Sequence, residues 1–268
     1  MKPFLKWPGG KYRLVERIKS ALQPAQRLIE PFAGSAAVFL NTDYNEYLIA
    51  DSNNDLINLY QRLIDEGDSF IKYCHTLISQ ENNNEQIYYK FREEFNRSRS
   101  IRRRSALFLY LNRHCYNGLC RYNKSGKFNT PFGRYKKPYF PQKEMRNFID
   151  TASNATFINA DFLDSMARAK QGDVIYCDPP YAPLSQTANF TDYHTSGFNW
   201  QDQVQLVDMA RKLADEGIPV IISNHDTKET RKLYNDARAR IEYFHVQRSI
   251  SCDGNNRTKA GELLAVFS

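Results

Sequence analysis

Short apolar runs alternate with amphipathic stretches towards both ends of the chain, whereas the middle is amphipathic without such runs. Continuous apolar runs that end at turn residues predict strands, and apolar residues recurring at helical spacing predict helices. The predicted strands cover residues 27–30, 47–50, 156–159, 174–177, 219–223, 241–246 and 263–267. One predicted helix begins at residue 37, and the others cover residues 55–63, 70–78, 86–95, 103–111, 203–215 and 228–237.

The order of these elements predicts the fold class and the domain organisation. Residues 27–51 read as strand, loop, helix and strand, which begins a βαβ unit, and the alternation resumes near residue 155. The last two strands have no helix between them, which indicates an antiparallel pair at a sheet edge. We predict an α/β protein with a doubly wound sheet, interrupted by a mainly helical insertion that carries a β-hairpin turning at residues 124–126. The expected domains are residues 1–55 with 146–268, and residues 56–145.

The positive charge is concentrated in the helical middle of the chain. Residues 90–146 hold 16 Lys/Arg and 3 Asp/Glu, a net charge of +13, although the whole chain has a net charge of only +7. Tyr and Phe residues alternate with these cations, and nucleic acid needs cations for its phosphates and rings for stacking. We therefore favour a nucleic-acid partner over a merely solvated basic surface. The cations are Arg102, Arg103, Arg104, Arg113, Arg121, Lys124, Lys127, Arg134, Lys136 and Lys137.

Composition narrows the class of protein. No apolar run approaches the ~18 residues of a membrane span, and the N-terminal stretch MKPFLKWPGGK lacks the apolar core of a signal peptide. We expect a cytoplasmic protein without a membrane partner. The cysteines (Cys74, Cys115, Cys120, Cys177 and Cys252) form no CxxC pair, so we expect free thiols and no metal site.

The stretch Asp178-Pro179-Pro180-Tyr181 carries the most specific chemistry. It follows an apolar run that predicts a buried strand, so it lies where ligands of open α/β sheets bind. The amine of a nucleobase is a poor nucleophile because its lone pair is delocalised into the ring. A carboxylate and a backbone carbonyl that accept its two hydrogens, with an aromatic ring stacked on the base, would overcome this. Asp178, the Pro179 carbonyl and Tyr181 offer these three groups, although a structural Asp-Pro turn is the alternative.

A second set of residues predicts a nucleoside ligand. Residues 31–36 form a small-residue turn around Gly34, between a strand and the helix expected at residue 37, and the single glycine argues against a dinucleotide. Asp51 ends the next strand, where it can accept hydrogen bonds from ribose hydroxyls or cap a helix. Asp161 and Phe162 follow another strand and could contact an adenine, although Phe162 could equally belong to the core. S-adenosylmethionine is such a ligand.

Six segments taken together resemble the Dam family of DNA adenine-N6 methyltransferases over nearly the whole chain. They are FLKWPGGK at 4–11, PFAGSA at 31–36, NRHCYNGLCRY at 112–122, NTPFGRYKKPYFP at 129–141, DPPY at 178–181 and ISNHD at 222–226. The resemblance implies methyl transfer from S-adenosylmethionine to the adenine N6 of double-stranded GATC, with the base flipped out. It also implies a Rossmann-like catalytic domain, interrupted by a helical target-recognition domain with a DNA-contacting hairpin.

The resemblance also implies roles for individual residues. Catalysis falls to Asp178, Pro179 and Tyr181, by in-line attack of the amine on the methyl group. Tyr116 and Asn117 would fill or contact the gap left by the flipped adenine. The cofactor residues would be Trp7, Lys11, Phe32, Gly34, Asp51, Asp161, Phe162 and Asp178, and the DNA-binding residues Lys6, Tyr116, Asn117, Leu119, Arg121, Pro131 and Tyr135. No metal is expected, and the protein would be a monomer associated with the nucleoid.

Three other functions compete with this interpretation. A protein glutamine methyltransferase would favour Asn at position 178, and an RNA adenine methyltransferase would share the chemistry, but the basic hairpin favours a duplex. A DNA-binding regulator that has lost catalysis would have a damaged catalytic stretch. Residues 178–181 are intact, which favours the enzyme.

Overall fold

A computed structural model describes residues 1–182, 198–247 and 259–268 of the chain. The strands are β1 (Arg27–Glu30), β2 (Glu46–Asp51), β3 (Ala155–Asn159), β4 (Asp173–Cys177), β5 (Val220–His225), β6 (Arg240–Gln247) and β7 (Lys259–Phe267). The helices are α1 (Val15–Ala21), α2 (Asn54–Glu66), α3 (Asp68–Leu77), α4 (Glu85–Arg97), α5 (Ile101–His114), α6 (Gln142–Thr151), α7 (Phe162–Met166), α8 (Trp200–Asp215) and α9 (Lys228–Asp236).

The strands form a seven-stranded sheet in the order β3-β2-β1-β4-β5-β7-β6. Strand β1 pairs in parallel with β2 and β4, and β4 pairs in parallel with β5. Strand β7 pairs antiparallel with both β5 and β6, which confirms the predicted antiparallel pair and places β6 at the edge. The fold is therefore a doubly wound, Rossmann-like α/β fold, as predicted. The strand order reverses between β1 and β4, and ligands of such sheets bind beyond the carboxyl ends at this point.

The helix predicted to begin at residue 37 is wrong. The segment forms only a 3-10 turn at Phe39–Asn41, because Ala36 has a left-handed φ of 57° and Thr42 is already extended. The segment is short, and its side chains from Ala36 to Leu40 are buried, so packing rather than helical hydrogen bonding defines it. The helices α1, α6 and α7 were not predicted at all.

The chain divides into two compact units. Unit 1 consists of Met1–Val15, Ala33–Asp43 and Asp51–Asn159, and unit 2 of Glu16–Phe32, Tyr44–Ala50 and Ala160–Ser268. The core of unit 1 is aromatic: the rings of Tyr60 and Phe148 stack 4.7 Å apart, and Phe4 packs edge-on against both. The core of unit 2 is mainly aliphatic. The side chains of β4 and those of β5 up to Asn224 are inaccessible to solvent, because central parallel strands are covered on both faces.

The predicted hairpin is present in unit 1 as two isolated bridges. Tyr122 pairs antiparallel with Phe128, and Cys115 with Phe132. The Asn123 side chain accepts hydrogen bonds from the backbone of Ser125 and Lys127, which closes the turn. Among the described residues, no helix is both long and apolar enough to cross a membrane.

Cys74, Cys115, Cys120 and Cys177 carry free thiols, and Cys252 lies outside the described residues.

Candidate functional site

Asp178 follows β4 directly, and a serine on the neighbouring strand orients its carboxylate. The Ser223 hydroxyl donates to Asp178 Oδ1 at 3.0 Å, and the Tyr176 hydroxyl donates to Ser223 Oγ at 3.1 Å. Asp178 is partly exposed, whereas Tyr176 and Ser223 are buried. A carboxylate held in this way at the carboxyl end of a central strand can accept a hydrogen bond from a bound amine.

Side chains from β5 and α8 hold the backbone of the loop that follows Asp178. Gln203 Nε2 donates to the carbonyl of Pro180 at 2.9 Å, not to that of Pro179. The Ala182 N–H donates to Asn224 Oδ1 at 3.0 Å, and Asn224 Nδ2 donates to Gln203 Oε1 at 3.0 Å. Gln203 and Asn224 are almost inaccessible to solvent. The loop is therefore preorganised by a buried polar network.

Tyr181 is uncharged, and contacts to both its hydroxyl and its ring hold the side chain in place. Its hydroxyl donates to Glu262 Oε2 at 3.1 Å, and its ring meets the His225 ring edge-on at 4.7 Å. Burial and the nearby Asp178 carboxylate raise the pKa of Tyr181 well above the usual range for a phenol. Tyr181 therefore presents a neutral ring rather than a charge.

Three phenylalanines of unit 2 form an aromatic cluster near the ends of β1 and β3. The rings of Phe32 and Phe162 stack with centroids 5.5 Å apart, and Phe198 meets both edge-on. Asp161 is the N-cap of α7, where its Oδ1 accepts the Leu163 N–H at 2.7 Å. The helix cap thus engages one oxygen of the acid predicted to bind adenine, and Phe162 is mostly buried within the cluster.

In unit 1, Asp51 organises the turn around Gly34. The N–H of Gly34 donates to Asp51 Oδ2 at 3.0 Å, and the N–H of Asn53 donates to Oδ1 at 2.8 Å. The N-cap of α2 is Asn53, so Asp51 does not cap that helix. Burial raises the pKa of the Asp51 carboxyl, although these two backbone hydrogen bonds oppose the rise. The helix expected to follow residues 31–36 is absent, since no α-helix of the described chain begins there.

Trp7 closes the turn from the other side. A Cβ on Gly34, which has a φ of 46°, would lie 2.8 Å from Trp7 Nε1, so only glycine fits beside the indole. The Tyr60 hydroxyl donates to the Gly34 carbonyl at 2.6 Å. Lys11 is buried, and its Nζ donates to the Gly9 carbonyl at 2.7 Å.

The predicted DNA-binding residues cluster around the start of the hairpin in unit 1. Lys6 Nζ lies 3.6 Å from the centroid of the Tyr135 ring, and a Cβ on Gly118 would clash with Lys6 Cβ. Tyr116 donates its N–H to the Pro131 carbonyl at 2.9 Å, and its side chain is 53% exposed. These contacts bring distant parts of the chain to one surface.

The remaining members of the predicted set lie in the same hairpin. Asn117 has left-handed φ and ψ of 52° and 16°, which Asn tolerates well. The Thr130 hydroxyl donates to the Leu119 carbonyl at 2.7 Å. Arg121 Nε donates to Asn129 Oδ1 at 2.8 Å, so the two sides of the hairpin are linked and the guanidinium is oriented.

Asn112 was missed by the sequence analysis as an individual residue. It is inaccessible to solvent, and its side-chain amide bonds the Lys6 backbone in both directions, with the Lys6 N–H donating at 3.0 Å and the Lys6 carbonyl accepting at 2.7 Å. Ser223, Gln203 and Asn224 were missed in the same way. For Ser223 and Asn224 the available signal was their position as polar residues at the end of an apolar strand.

The arginine run in α5 is engaged in ion pairs. Arg102 pairs with Glu66, Arg103 with Glu94, and Arg104 with Asp55. These three cations were expected among the phosphate-binding candidates, but each already faces a carboxylate. The described residues contain no group of three or more His, Cys, Asp or Glu that could hold a metal ion.

Comparisons with known proteins agree with this geometry. Residues 7–250 match the model of the D12 class N6 adenine-specific DNA methyltransferases. Three similar proteins named DNA adenine methylase are each 52% identical to this chain: those of Escherichia coli K12 (99% of this chain, 95% of the relative), Serratia marcescens (99% and 98%) and Vibrio cholerae El Tor (100% and 96%). A solved precorrin-6y C5,15-methyltransferase of Geobacter metallireducens has a TM-score of 0.41 at 8% identity, over 96% of this chain and 87% of that one, which is too low to bear on function.

Proposed function

Because this chain belongs to the D12 class of N6 adenine-specific DNA methyltransferases, we propose that it methylates adenine N6 in double-stranded GATC, using S-adenosylmethionine and flipping the adenine out of the duplex. Methylation of adenine in DNA follows from the family, whereas the site, the donor and the flipping are the proposal. The observation that carries it is the oriented Asp178 carboxylate, next to the preorganised loop that presents Tyr181.

The residues present fit the methyl donor. Asp51 accepts one backbone N–H on each carboxylate oxygen, which uses two of about four lone-pair sites and leaves acceptor capacity for a ribose. Phe32 and Phe162 offer ring surface for an adenine. When bound, S-adenosylmethionine supplies a methyl group already activated on a positively charged sulfur. The residues proposed to hold it are Trp7, Lys11, Phe32, Gly34, Asp51, Asp161, Phe162 and Asp178.

The protein's own groups activate the substrate amine. Asp178 and the Pro179 carbonyl each accept one hydrogen bond from the N6 amine, which makes the nitrogen lone pair available for in-line attack. After the transfer, N6 loses its surplus proton to Asp178 or to solvent. Tyr181 stacks on the flipped base, since its neutral aromatic ring can lie against the face of the base. The hydrogen bond from its hydroxyl to Glu262 holds the ring in position. The contribution of the enzyme is mainly orientation.

On the DNA side, the proposed contacts are those of the hairpin surface. Tyr116, with half of its side chain exposed, and Asn117 would occupy the gap left by the adenine. Lys6 and Arg121 offer cations to base edges or phosphates. The other proposed contacts are Leu119, Pro131 and Tyr135.

We further propose that residues 56–145 act as the target-recognition domain, residues 1–55 and 146–268 as the catalytic domain, and that the protein works as a cytoplasmic, nucleoid-associated monomer. The bacterial relatives and the basic middle segment support this proposal.

One assay tests the function. The protein is incubated with S-adenosylmethionine labelled in its methyl group and with duplexes that contain either GATC or a scrambled site. Label should enter only the GATC duplex and should appear as N6-methyladenine. Asp178→Ala should lower turnover by orders of magnitude and leave DNA affinity at fixed salt nearly unchanged, because the lost acceptor acts in the transition state. Equal labelling of both duplexes would overturn the GATC assignment, and retained turnover in Asp178→Ala would overturn the catalytic assignment.

A further inference from the structure

Asp178 is the acceptor at the end of a buried hydrogen-bond chain. Tyr176 is 2% exposed and Ser223 is 1% exposed, and the chain runs from the Tyr176 hydroxyl through the Ser223 hydroxyl to Asp178 Oδ1. The strand register accounts for this contact. Cys177, the last residue of β4, pairs with Ile222 of the neighbouring parallel strand β5, so Asp178 follows the one residue and Ser223 follows the other.

The direction in which these hydrogen bonds run follows from the number of hydrogens that each hydroxyl can donate. The Tyr176 phenol stays protonated, because burial and the Asp178 charge raise its pKa well above the usual range, and it donates to Ser223. A serine hydroxyl has a single hydrogen. That hydrogen can reach Asp178 Oδ1 at 3.0 Å, the Cys177 carbonyl at 3.4 Å or the hydroxyl of Tyr181, which also forms a hydrogen bond with Ser223. The shorter distance and the negative charge of the carboxylate both favour Asp178.

We propose that Ser223 is a positioning residue for methyl transfer: its hydroxyl, polarised by Tyr176, holds the Asp178 carboxylate in the orientation that accepts an N6 hydrogen. This inference rests on the role proposed for Asp178. A carboxylate side chain can rotate about two bonds, and a donor on one oxygen restricts that rotation before the substrate arrives. The donation from Tyr176 strengthens the second hydrogen bond, since consecutive hydrogen bonds polarise one another.

Ser223 differs in this respect from the other buried polar residues around the loop. Gln203 and Asn224 bond the backbone at Pro180 and Ala182, so they shape the loop. Ser223 instead bonds the side chain that touches the substrate. A purely structural serine would affect stability and leave the turnover of the folded enzyme unchanged, whereas a positioning serine affects turnover itself.

The test separates kcat from KM in three variants of residue 223. Ser223→Ala should lower kcat by about 10- to 100-fold while KM for S-adenosylmethionine and for a GATC duplex changes by less than about threefold, since the lost contact matters in the transition state. Ser223→Thr keeps the hydroxyl and should restore most of kcat. Ser223→Cys keeps the size with a weak donor and should give an intermediate kcat.

Two further variants complete the test, one as a control and one to measure coupling, and kcat is expressed per folded protein. Ser105→Ala removes a different buried hydroxyl, on α5, and should leave kcat unchanged. Tyr176→Phe should lower kcat moderately in the wild-type background and no further in Ser223→Ala, because both changes act through one chain.

The outcomes distinguish this inference from the function on which it rests. Wild-type kcat in folded Ser223→Ala, with Asp178→Ala inactive, overturns the inference and leaves the proposed function standing. An active Asp178→Ala overturns the proposed function itself. If Ser223→Ala does not fold, wild-type kcat in Ser223→Cys overturns the inference.

Discussion

The ammonium group of Lys6 lies 3.6 Å from the centre of the Tyr135 ring and donates to the Arg113 carbonyl at 3.3 Å. The ring face and the carbonyl both attract the cation. Burial and the nearby Arg113 charge nevertheless lower the pKa of Lys6 to about 8. The charge of this proposed DNA contact therefore depends on pH close to neutrality.

We expect DNA affinity to fall as the pH rises through about 8. A lysine with a lowered pKa carries its charge below that pKa and loses it above, so DNA loses a cationic partner at alkaline pH. Fluorescence anisotropy of a labelled GATC duplex, at constant ionic strength, measures the effect. Lys6→Arg keeps its charge throughout this range and should show no such fall. An equal fall in both proteins would assign the pH dependence to another group.

Gly34→Ala should weaken cofactor binding by at least about tenfold, since a strained φ costs roughly 1–3 kcal/mol and the added Cβ would displace Trp7. Quenching of Trp7 fluorescence by S-adenosylmethionine, in a Trp200→Phe background, reports the affinity. Gly126→Ala is the matched control, because Gly126 also has a positive φ, of 69°, but no atom lies within 4 Å of its added Cβ. Equal losses in both variants would contradict a local effect at Trp7.

The arginines of α5 should affect stability rather than phosphate binding. Arg104 pairs with the buried Asp55, which also accepts the Tyr122 hydroxyl at 2.8 Å. Arg104→Met should therefore destabilise the fold by about 3 kcal/mol, because it leaves a buried carboxylate without its cation. Urea denaturation measures this loss, and the more exposed Arg102→Met is the control, with a loss below about 1 kcal/mol.

The same variants test whether the α5 arginines contact phosphates. Each lost phosphate contact lowers the slope of log affinity against log salt by about 0.9. We expect Arg102→Met to leave this slope unchanged, since Glu66 already neutralises the guanidinium. A slope lowered by about 0.9 would show that Arg102 leaves Glu66 for a phosphate when DNA binds.

Arg121→Ala should relax specificity at one outer pair of GATC. A guanidinium that grips guanine O6 and N7 discriminates by roughly 1–3 kcal/mol, so activity on sites altered at that pair should rise relative to GATC. Asn129→Ala keeps Arg121 but removes the acceptor that orients it at 2.8 Å, and should relax specificity less. A fall of both rates with an unchanged ratio would make Arg121 a phosphate contact.

The sequence by itself was sufficient for the strands, for most of the helices and for the position of residues 178–181 after a buried strand. Strand β1 has the predicted ends, and β4 differs by one residue, because a buried strand needs a continuous apolar run that is visible locally. Asp178 lies at the end of β4 for the same reason. The hairpin turn was also predictable, since Gly126 and the side chain of Asn123 define it within five residues.

The tertiary structure alone decided which distant residues meet. Strand β7 enters between β5 and β6, and Ser223 reaches Asp178, through pairings that no local pattern specifies. Arg104 looked like a phosphate contact until the fold placed Asp55 beside it. Asn112 bonds the backbone of Lys6, 106 residues away. Such contacts depend on long-range packing and on the need of every buried polar group for a partner, and both are properties of the assembled fold rather than of any segment.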